Sequence, residues 1–296
     1  MSVTELTTTE AEDPGFWCRL CPELSIEQSS PVEQPFEFDD VPGLVDLLRV
    51  EGYVNVPDVI PVGQVGLMRT CIDRLYERHI PVVFAFVYDE FWSAFQNVST
   101  FVGSVLGSGY RALPDFWVWR VKPSDFDSGW EPHWDRAVPT FESDNMPHSL
   151  TVWIALSEAN PLNGCIYVVP AHLDERFERR VWESNNIIDA KNLQNIRALP
   201  ATAGSMLAWN QGLIHWGSRA SWRAREPRRS AAFEFQRGDI APINEPLLEV
   251  SPALAFHQRL ALIGNVLIRY QRRHPLTAAL REIAETLLGR GLPSPR

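Results

Sequence analysis

The sequence predicts a mainly β protein with flanking helices, in which short strands form an antiparallel sandwich or barrel. Residues 116–236 contain six short runs rich in β-branched and aromatic residues, separated by turn formers such as those at 161–164. Helical periodicity appears on both sides, in residues 41–52 and 61–79 before this region and in residues 252–290 after it. The six runs are FWVWRVK, HSLTVWIAL, GCIYVVP, SMLAWN, LIHWGS and RRSAAFEFQ.

Composition and charge exclude several classes of protein. The 296 residues are 45% hydrophobic and 22% charged, as in a globular protein that buries its core without disulfides. A net charge of −10 argues against a sequence-independent nucleic-acid binder. No apolar run approaches the roughly 20 residues of a membrane span, and the acidic N-terminus lacks a targeting pattern. We expect a cytoplasmic protein, monomeric or homodimeric, whose partner is a small molecule and neither nucleic acid nor membrane.

Three segments follow one another without a linker between separate domains. Residues 1–39 are acidic and rich in Thr, Ser and Pro, which predicts a partly ordered N-terminal extension. Residues 40–250 predict the β domain with its N-terminal helical support. Residues 251–296 predict a C-terminal helical segment packed on the same domain. A dimer contact is the alternative for that segment, and a membrane-surface helix fits poorly with the acidic balance.

The N-terminal support consists of two helices around one strand. Residues 41–51 have apolar positions at helical spacing, and the helix is expected to stop at Gly52. Residues 53–60 alternate as a strand does, and a second helix follows at 61–79. Its apolar stripe is Val65, Met68, Cys71, Ile72, Leu75 and Tyr76.

The four cysteines predict neither a disulfide framework nor a zinc site. Cys18 and Cys21 form one CxxC, but no second pair follows at zinc-ribbon spacing. We expect these two thiols to lie in a loosely ordered arm. Cys71 falls in a helical pattern and Cys165 in a strand pattern, so both are expected to be packing residues.

A His-x-Asp motif gives the strongest local signal for chemistry. In an extended segment residues i and i+2 point to the same face, so His133 and Asp135 can present an imidazole and a carboxylate side by side. A third, distant histidine would complete the two-His, one-carboxylate arrangement that suits non-haem Fe(II). A second His-x-Asp, His172 with Asp174, precedes a charged stretch and is expected to be a helix start.

Among the other histidines, His215 is the best candidate for the third ligand. It lies in an apolar strand-like run, where a buried imidazole needs a partner and a metal can be one. His79 is expected at a solvated helix end, and His148 at the start of a strand. His257 and His274 fall in the basic C-terminal helical stretch, where we expect them to face solvent.

An arginine pair opens the last strand of the β region. An arginine beside a metal site can hold a carboxylate through two parallel hydrogen bonds. Strand alternation puts Arg228 and Glu234 on a polar face, and Arg229 and Phe233 on the opposite, more apolar face. Periodicity alone leaves open which arginine points inward.

Taken together, these motifs resemble the phytanoyl-CoA dioxygenase-like (PhyH) family of Fe(II)- and 2-oxoglutarate-dependent oxygenases. The resemblance covers about residues 40–240 and depends on several motifs in one order. These are HWD, LTVWIALSEANPLNGCIYVVPAH, LPATAGSMLAWNQGLIHWGSRAS and PRRSAAFEF. It implies a double-stranded β-helix (jelly-roll, cupin-like) core, with Fe(II), 2-oxoglutarate and O2 as cofactor and cosubstrates.

The resemblance also implies roles for individual residues. His133, Asp135 and His215 match the iron ligands, and Arg228 matches the arginine that binds the distal carboxylate of 2-oxoglutarate. Trp153 matches a position near the cosubstrate in some members, although a core tryptophan is an equal alternative. Ser218 is a further cosubstrate candidate, displaced by one residue from the family pattern because Trp216 follows the second histidine.

The expected activity is oxidation of an unactivated C–H bond of a small molecule, most simply hydroxylation, with release of succinate and CO2. Desaturation is an alternative, whereas Asp135 disfavours halogenation, because related halogenases replace this carboxylate with a small residue. Trp130, Trp134 and Trp216 adjoin the candidate ligands and are expected to line a pocket for an apolar or ring-containing substrate in secondary metabolism. Residues 84–95 are a candidate lid.

Two other functions remain open at this point. One is a non-catalytic protein of the same fold that retains a binding cavity. The other is a cupin-like metal enzyme that uses O2 without 2-oxoglutarate, and such an enzyme has no need of Arg228.

Overall fold

Two antiparallel sheets face each other and form the double-stranded β-helix that the family resemblance predicts. The larger sheet has the order β1-β6-β3-β8-β2 and the smaller one β5-β4-β7. The strands are β1 (Tyr53–Val56), β2 (Arg111–Val121), β3 (Ser149–Ala155), β4 (Ile166–Val168), β5 (Arg197–Leu199), β6 (Met206–Asn210), β7 (His215–Gly217) and β8 (Arg228–Gln236). A computed structural model describes residues 6–28, 35–125, 127–136, 146–179, 187–249 and 254–293.

Helices flank this core and contain more residues than the strands do. The helices are α1 (Thr8–Glu12), α2 (Pro14–Leu20), α3 (Val41–Glu51), α4 (Val62–Glu77), α5 (Asp89–Gln96), α6 (Ser99–Leu106), α7 (Glu175–Arg179), α8 (Phe256–Tyr270) and α9 (Ala278–Leu288). In the part of the chain that the structure describes, no helix combines the length and the apolar character needed to cross a bilayer.

The N-terminal support forms where the sequence predicts it. α3 ends at Glu51, and Gly52 adopts a left-handed conformation with φ of 81°, which a residue with a Cβ atom rarely adopts. A Cβ atom on Gly52 would also lie 2.6 Å from Leu213 Cδ1. The predicted stripe of α4 is buried apart from Tyr76, which is only partly covered. The short strand β5 is an addition that the sequence patterns did not indicate.

Strand alternation in β8 separates the interior of the β-helix from the helical layer. Arg228 and Glu234 face the space between the sheets, where both line one cavity. Phe233 faces the other way, and its ring lies 5.3 Å from that of Phe95 and 5.9 Å from that of Phe86. The main apolar core therefore lies between the larger sheet and the helices, and the other face of that sheet is left for the site.

The candidate lid, residues 84–95, belongs to this core and does not cover a site. A 3-10 helix (Val82–Val87) and α5 form the segment, and Phe84, Phe86 and Phe91 are fully buried in the apolar core. The interpretation as a lid was wrong because the aromatic residues serve the packing of helices against the outer face of the sheet.

The described part of the N-terminal extension also packs against the domain. Trp17 is fully buried, its ring stacks on Phe84 at 5.3 Å, and Tyr88 donates a hydrogen bond of 2.8 Å to its backbone carbonyl. Cys18 is exposed, but Cys21 is buried. The expectation of a loosely ordered arm around the CxxC therefore fails at Trp17 and Cys21, because one large aromatic ring provides the apolar area that anchors the segment.

Candidate metal and cosubstrate site

An isolated strand pairing brings three candidate metal ligands together. His133 and His215 form an antiparallel bridge in which each backbone N–H donates to the other residue's carbonyl at 3.1 Å. Their imidazole centroids lie 4.4 Å apart, and Asp135 Oδ1 lies 3.4 Å from Nε2 of each ring. All three possible ligand atoms lie within 4.8 Å of one another. One divalent ion can therefore be bound by all three side chains.

The backbone fixes which nitrogen of each imidazole faces the centre of this cluster. His133 Nδ1 lies 2.6 Å from the carbonyl of Glu131, and His215 Nδ1 lies 3.0 Å from the carbonyl of Leu213. Because a carbonyl only accepts hydrogen bonds, each Nδ1 carries the proton and each Nε2 keeps a free lone pair. His133 Nε2 is buried without a hydrogen-bond partner among the described residues. Both rings are thus oriented as metal ligands.

Asp135 is held by two neighbouring strands. Its Oδ2 accepts hydrogen bonds from Thr151 Oγ1 at 2.7 Å and from Trp209 Nε1 at 2.9 Å. Oδ1 is left to face the two imidazoles. Burial alone would raise the pKa of Asp135, but His215 and His133, when protonated in the absence of a metal, lower it well below its usual range. The carboxylate is therefore ionised and can bind a cation in place of those protons.

A further layer of polar contacts supports Thr151. Gln211 Nε2 donates to Thr151 Oγ1 at 3.1 Å and to Glu234 Oε2 at 2.7 Å, and Arg136 pairs with the same Glu234 carboxylate. Burial raises the pKa of Glu234 to about 8. Sequence reasoning assigned no role to Thr151, Trp209 or Gln211. The alternation of strand β3 puts Thr151 on the same face as Trp153, and this pattern is the signal from which Thr151 could have been found.

We expect Thr151→Val to weaken metal binding by about tenfold or more, because removing an outer-shell partner of a metal ligand typically costs 10–100-fold in affinity. The valine has nearly the shape of threonine but cannot donate to Asp135 Oδ2. Anaerobic titration with Fe(II) measures the effect, and Thr151→Ser, which keeps the hydroxyl, is the matched control. Equal affinities of the valine variant and the wild type would show that this hydrogen bond does not position Asp135.

Arg228 is a buried cation without an anionic partner among the described residues. Its side chain is 1% exposed, and its Nε and Nη1 atoms have no hydrogen-bond partner there. Burial lowers the pKa of Arg228 to about 10, which still leaves the guanidinium protonated at neutral pH. An unpaired charge in this environment is costly unless an anion binds it. The arrangement fits a carboxylate ligand.

Two glycines make room beside the guanidinium. Gly129 and Gly217 pack against each other so closely that a Cβ atom on Gly217 would lie 2.8 Å from Gly129 Cα and 3.3 Å from the Arg228 nitrogens. A Cβ atom on Gly129 would lie 3.1 Å from Arg228 Nη2. Any larger residue at either position would crowd the guanidinium group. Trp153, which is also buried in the cavity wall, lies with its ring centroid 5.7 Å from the guanidinium carbon.

The structure shows which of the two arginines points into the β-helix, a question that periodicity left open. Arg228 points into the cavity, whereas Arg229 points to the helical layer. There its Nη2 donates to Asp73 of α4 at 2.7 Å and its Nε donates to the same carboxylate at 2.8 Å. Arg229 therefore forms a structural ion pair with Asp73 that connects the sheet to the helix.

Two of the predicted pocket residues and one predicted cosubstrate residue lie elsewhere. The cavity lined by His133, Asp135 and His215 is called the metal cavity below. Trp134 and Trp216 do not line it, because each is next to a ligand in sequence and its side chain therefore points to the opposite side of the chain. Trp216 stacks on Tyr167 at 5.6 Å, and the guanidinium of Arg176 lies 5.8 Å from the ring of Trp134. Ser218 is likewise absent from the cavity wall, and its backbone N–H donates to Cys165 at 3.2 Å.

The second His-x-Asp motif lies away from the cluster, as expected. His172 is on a short 3-10 turn, and its Nδ1 lies 3.5 Å from Glu51. Asp174 accepts a hydrogen bond from the backbone N–H of Arg176 at 3.2 Å, near the start of α7. The carboxylate therefore caps a helix.

The C-terminal segment contributes a wall to the cavity, which the sequence did not reveal. Trp130 lines the cavity as predicted, and its Nε1 donates to His274 Nε2 at 2.8 Å. His274 also stacks on Trp117 at 4.5 Å, and Tyr270 packs on Trp117 at 5.3 Å. The expectation that His274 faces solvent was wrong, because the turn after α8 folds back over the aromatic end of the cavity.

His274 predicts a pH dependence of stability. Burial lowers its pKa from 6.5 to about 4, so the folded ring stays neutral and accepts the Trp130 hydrogen bond. Between these two values the unfolded chain binds the proton and the folded chain does not, so stability falls as the pH falls from about 6.5 to about 4. Asp127 and Arg273 are the charged groups that act on the ring.

We therefore expect His274→Gln to lose less stability than the wild type between pH 7 and pH 5. Urea unfolding at both values measures this, and the difference between the two proteins isolates His274 from the other histidines. The same slope in both proteins would contradict a neutral, buried His274.

A comparison with protein-family models supports the resemblance over part of the chain. Residues 102–226 match the model described as phytanoyl-CoA dioxygenase (PhyH). The resemblance to the PhyH family is confirmed over this segment. The PhyH segment contains His133, Asp135 and His215, and it ends two residues before Arg228. No curated protein sequence matches the chain at a significant level.

Solved structures similar to this chain share its fold. The 2-oxoglutarate-dependent epimerase SnoN from nogalamycin biosynthesis has a TM-score of 0.53 and 20% identity, over 73% of this chain and 95% of SnoN. The carbocyclase SnoK from the same biosynthesis has a TM-score of 0.54 and 17% identity, over 71% and 88%. HygX from Streptomyces hygroscopicus, solved with nickel and 2-oxoglutarate bound, has a TM-score of 0.51 and 16% identity, over 67% and 87%. These similarities confirm the predicted double-stranded β-helix fold.

Proposed function

We propose that the protein is an Fe(II)- and 2-oxoglutarate-dependent oxygenase that hydroxylates an unactivated C–H bond of a small molecule. His133, Asp135 and His215 bind the iron, and Arg228 binds the distal carboxylate of 2-oxoglutarate beside Trp153. In this proposal Ser218 contributes only indirectly to cosubstrate binding, because its side chain does not line the cavity. The observation that carries the proposal is the coexistence of the two-His, one-carboxylate cluster with a buried arginine that lacks an anion.

The chain's own contribution is to bind, orient and exclude water. The cluster presents three ligands and leaves the remaining coordination positions for cosubstrate and O2. Arg228 orients the cosubstrate through its distal carboxylate, and Gly129 and Gly217 give the guanidinium the space to do so. A bound ferrous ion would allow O2 to act as the oxidant, with 2-oxoglutarate and the substrate each giving two electrons: R–H, 2-oxoglutarate and O2 give R–OH, succinate and CO2.

Asp135 disfavours halogenation, because it occupies the position that a halide takes in related halogenases, and hydroxylation is proposed as the simplest remaining oxidation. The fold alone does not fix the outcome, since the similar structures include an epimerase and a carbocyclase. Desaturation would consume the same cosubstrates and would remove two hydrogens from the substrate.

The proposed substrate is a ring-containing molecule of secondary metabolism. Trp117, Trp119, Trp130 and Tyr270 line the metal cavity and offer aromatic faces and edges to a ring. SnoN, which has a similar fold, has been solved in complex with nogalamycin RO. This similarity supports a ring-containing substrate and does not identify it.

The experiment is mass spectrometry of small-molecule extracts incubated with the protein, Fe(II), ascorbate and 2-oxoglutarate. The proposal predicts a product that gains one oxygen and forms only when 2-oxoglutarate is present, together with succinate. A loss of two hydrogens would identify desaturation instead. An extract component that is oxidised equally well without 2-oxoglutarate would favour the cupin-like alternative and contradict the proposal.

A further inference from the structure

A second, larger cavity adjoins the metal cavity. In the part of the chain that the structure describes, the metal cavity has a volume of about 40 Å³ and the second cavity about 390 Å³. Since one water needs roughly 10–15 Å³ by this measure, the first cavity has room for only a few small groups. Trp117 and Trp119 line both cavities, and His274 lines the second one. A large substrate that reaches the metal must therefore leave most of its body outside the first cavity.

Aromatic rings form the shared wall between the two spaces. His274 stacks on Trp117 with an interplanar angle of 21°, and it accepts the hydrogen bond from Trp130. The indole Nε1 of Trp119 is buried without a hydrogen-bond partner among the described residues. His274 follows α8 and lies outside the PhyH segment, so this wall is a feature of the chain's own C-terminal region.

The second cavity runs along the free edge of β2, the last strand of the larger sheet. Between Phe116 and Val121, β2 pairs only with β8 among the described strands. An edge strand presents backbone N–H and C=O groups that lack a strand partner. Such groups can bind hydroxyl groups of a ligand.

The side chains of this cavity combine apolar and polar surface. Leu276 and Leu280 contribute apolar surface from the C-terminal region, whereas Tyr76, His79 and Asp127 contribute polar groups. A mostly apolar wall with a few polar groups is typical of a small-molecule site, in which rings contact the wall and polar groups fix orientation.

We propose that the second cavity is a substrate subsite that holds the non-reacting body of an extended substrate, a ring system that carries hydroxyl groups. The oxidised carbon reaches the metal cavity past His274, so the C-terminal segment determines which substrates fit. This inference rests on the proposed function, because it assigns the second cavity to the substrate of the metal site.

The test uses 1,8-dihydroxyanthraquinone, a hydroxylated polycyclic probe, and the full chain with Fe(II) and 2-oxoglutarate under anaerobic conditions. Leu280→Trp fills the second cavity and does not touch the metal cavity. Ala279→Trp, at the neighbouring exposed position of α9, is the matched control. We expect the probe to bind equally well to the wild type and to the control. Its affinity for Leu280→Trp, measured by equilibrium dialysis, should be at least about tenfold lower, which corresponds to a loss of roughly 1.4 kcal/mol of binding free energy.

Two measurements separate the possible failures. The visible band of the Fe(II)–2-oxoglutarate complex should be the same in all three proteins, and its absence from all three would contradict the proposed function itself. With the band present, equal probe affinity in Leu280→Trp, or no binding to the wild type, would overturn the subsite. Should Leu280→Trp melt far below the wild type, Leu276→Trp, which fills the same cavity from the segment before α9, replaces it and must show the same loss.

Discussion

Replacing His133 with alanine is expected to abolish 2-oxoglutarate turnover, with a loss of about 100-fold or more, while His172→Ala leaves turnover unchanged. Both residues are the histidine of a His-x-Asp motif. Only His133 lies with its Nε2 in the cluster with Asp135 and His215, where removing one of three ligands removes most of the metal affinity. Succinate formation at saturating 2-oxoglutarate and Fe(II) measures the effect.

His172→Ala is an informative control because its side chain is partly exposed and contacts only Glu51 among the ionic partners described. Circular dichroism should show that both variants keep the fold. Full turnover in His133→Ala, or equal losses in the two variants, would show that the first motif is not the metal site.

Replacing Arg228 with methionine is expected to weaken 2-oxoglutarate binding by about 100-fold, because truncating one partner of a buried charge pair costs roughly 2–5 kcal/mol. Fe(II) binding should be unchanged, since Arg228 is not part of the ligand cluster. The dissociation constant of 2-oxoglutarate, measured by anaerobic titration of the iron-loaded protein, is the readout.

Arg229→Met is the matched control on the neighbouring residue. It removes the ion pair with Asp73 and is expected to lower the melting temperature without changing 2-oxoglutarate affinity. Arg228→Met should have the opposite effect on the protein without ligands: removal of a buried, unpaired charge is expected to raise the melting temperature. An unchanged 2-oxoglutarate affinity in Arg228→Met would favour a cupin-like enzyme that does not use this cosubstrate.

The sequence predicted those parts of the site whose arrangement depends on the local geometry of one strand. His133 and Asp135 lie two apart in an extended segment, and strand alternation put Arg228 and Glu234 on one face. The same rule also explains why Trp134 and Trp216 lie outside the wall of the metal cavity, since each adjoins a ligand and points away from it. The choice between Arg228 and Arg229 required tertiary structure, because nothing in the strand pattern shows which face meets Asp73.

Contacts between distant segments account for what the sequence did not show. His274 is 144 residues from its partner Trp130, so no local pattern connects them. The hydroxyl of Thr151 and the indole of Trp209 converge on Asp135 from two strands that are adjacent only in the sheet. The aromatic composition of segment 84–95 fits a lid and a buried core equally well. Its packing against Phe233 shows that it belongs to the core.

We propose that His133, Asp135 and His215 bind a single ferrous ion and that Arg228 binds 2-oxoglutarate beside it. Anaerobic titration of the protein with Fe(II) in the presence of 2-oxoglutarate tests this claim most directly. We expect a weak visible metal-to-ligand band that saturates at one iron per chain and disappears in His215→Ala. A titration without this band, or with the same band in the His215→Ala variant, would contradict the account.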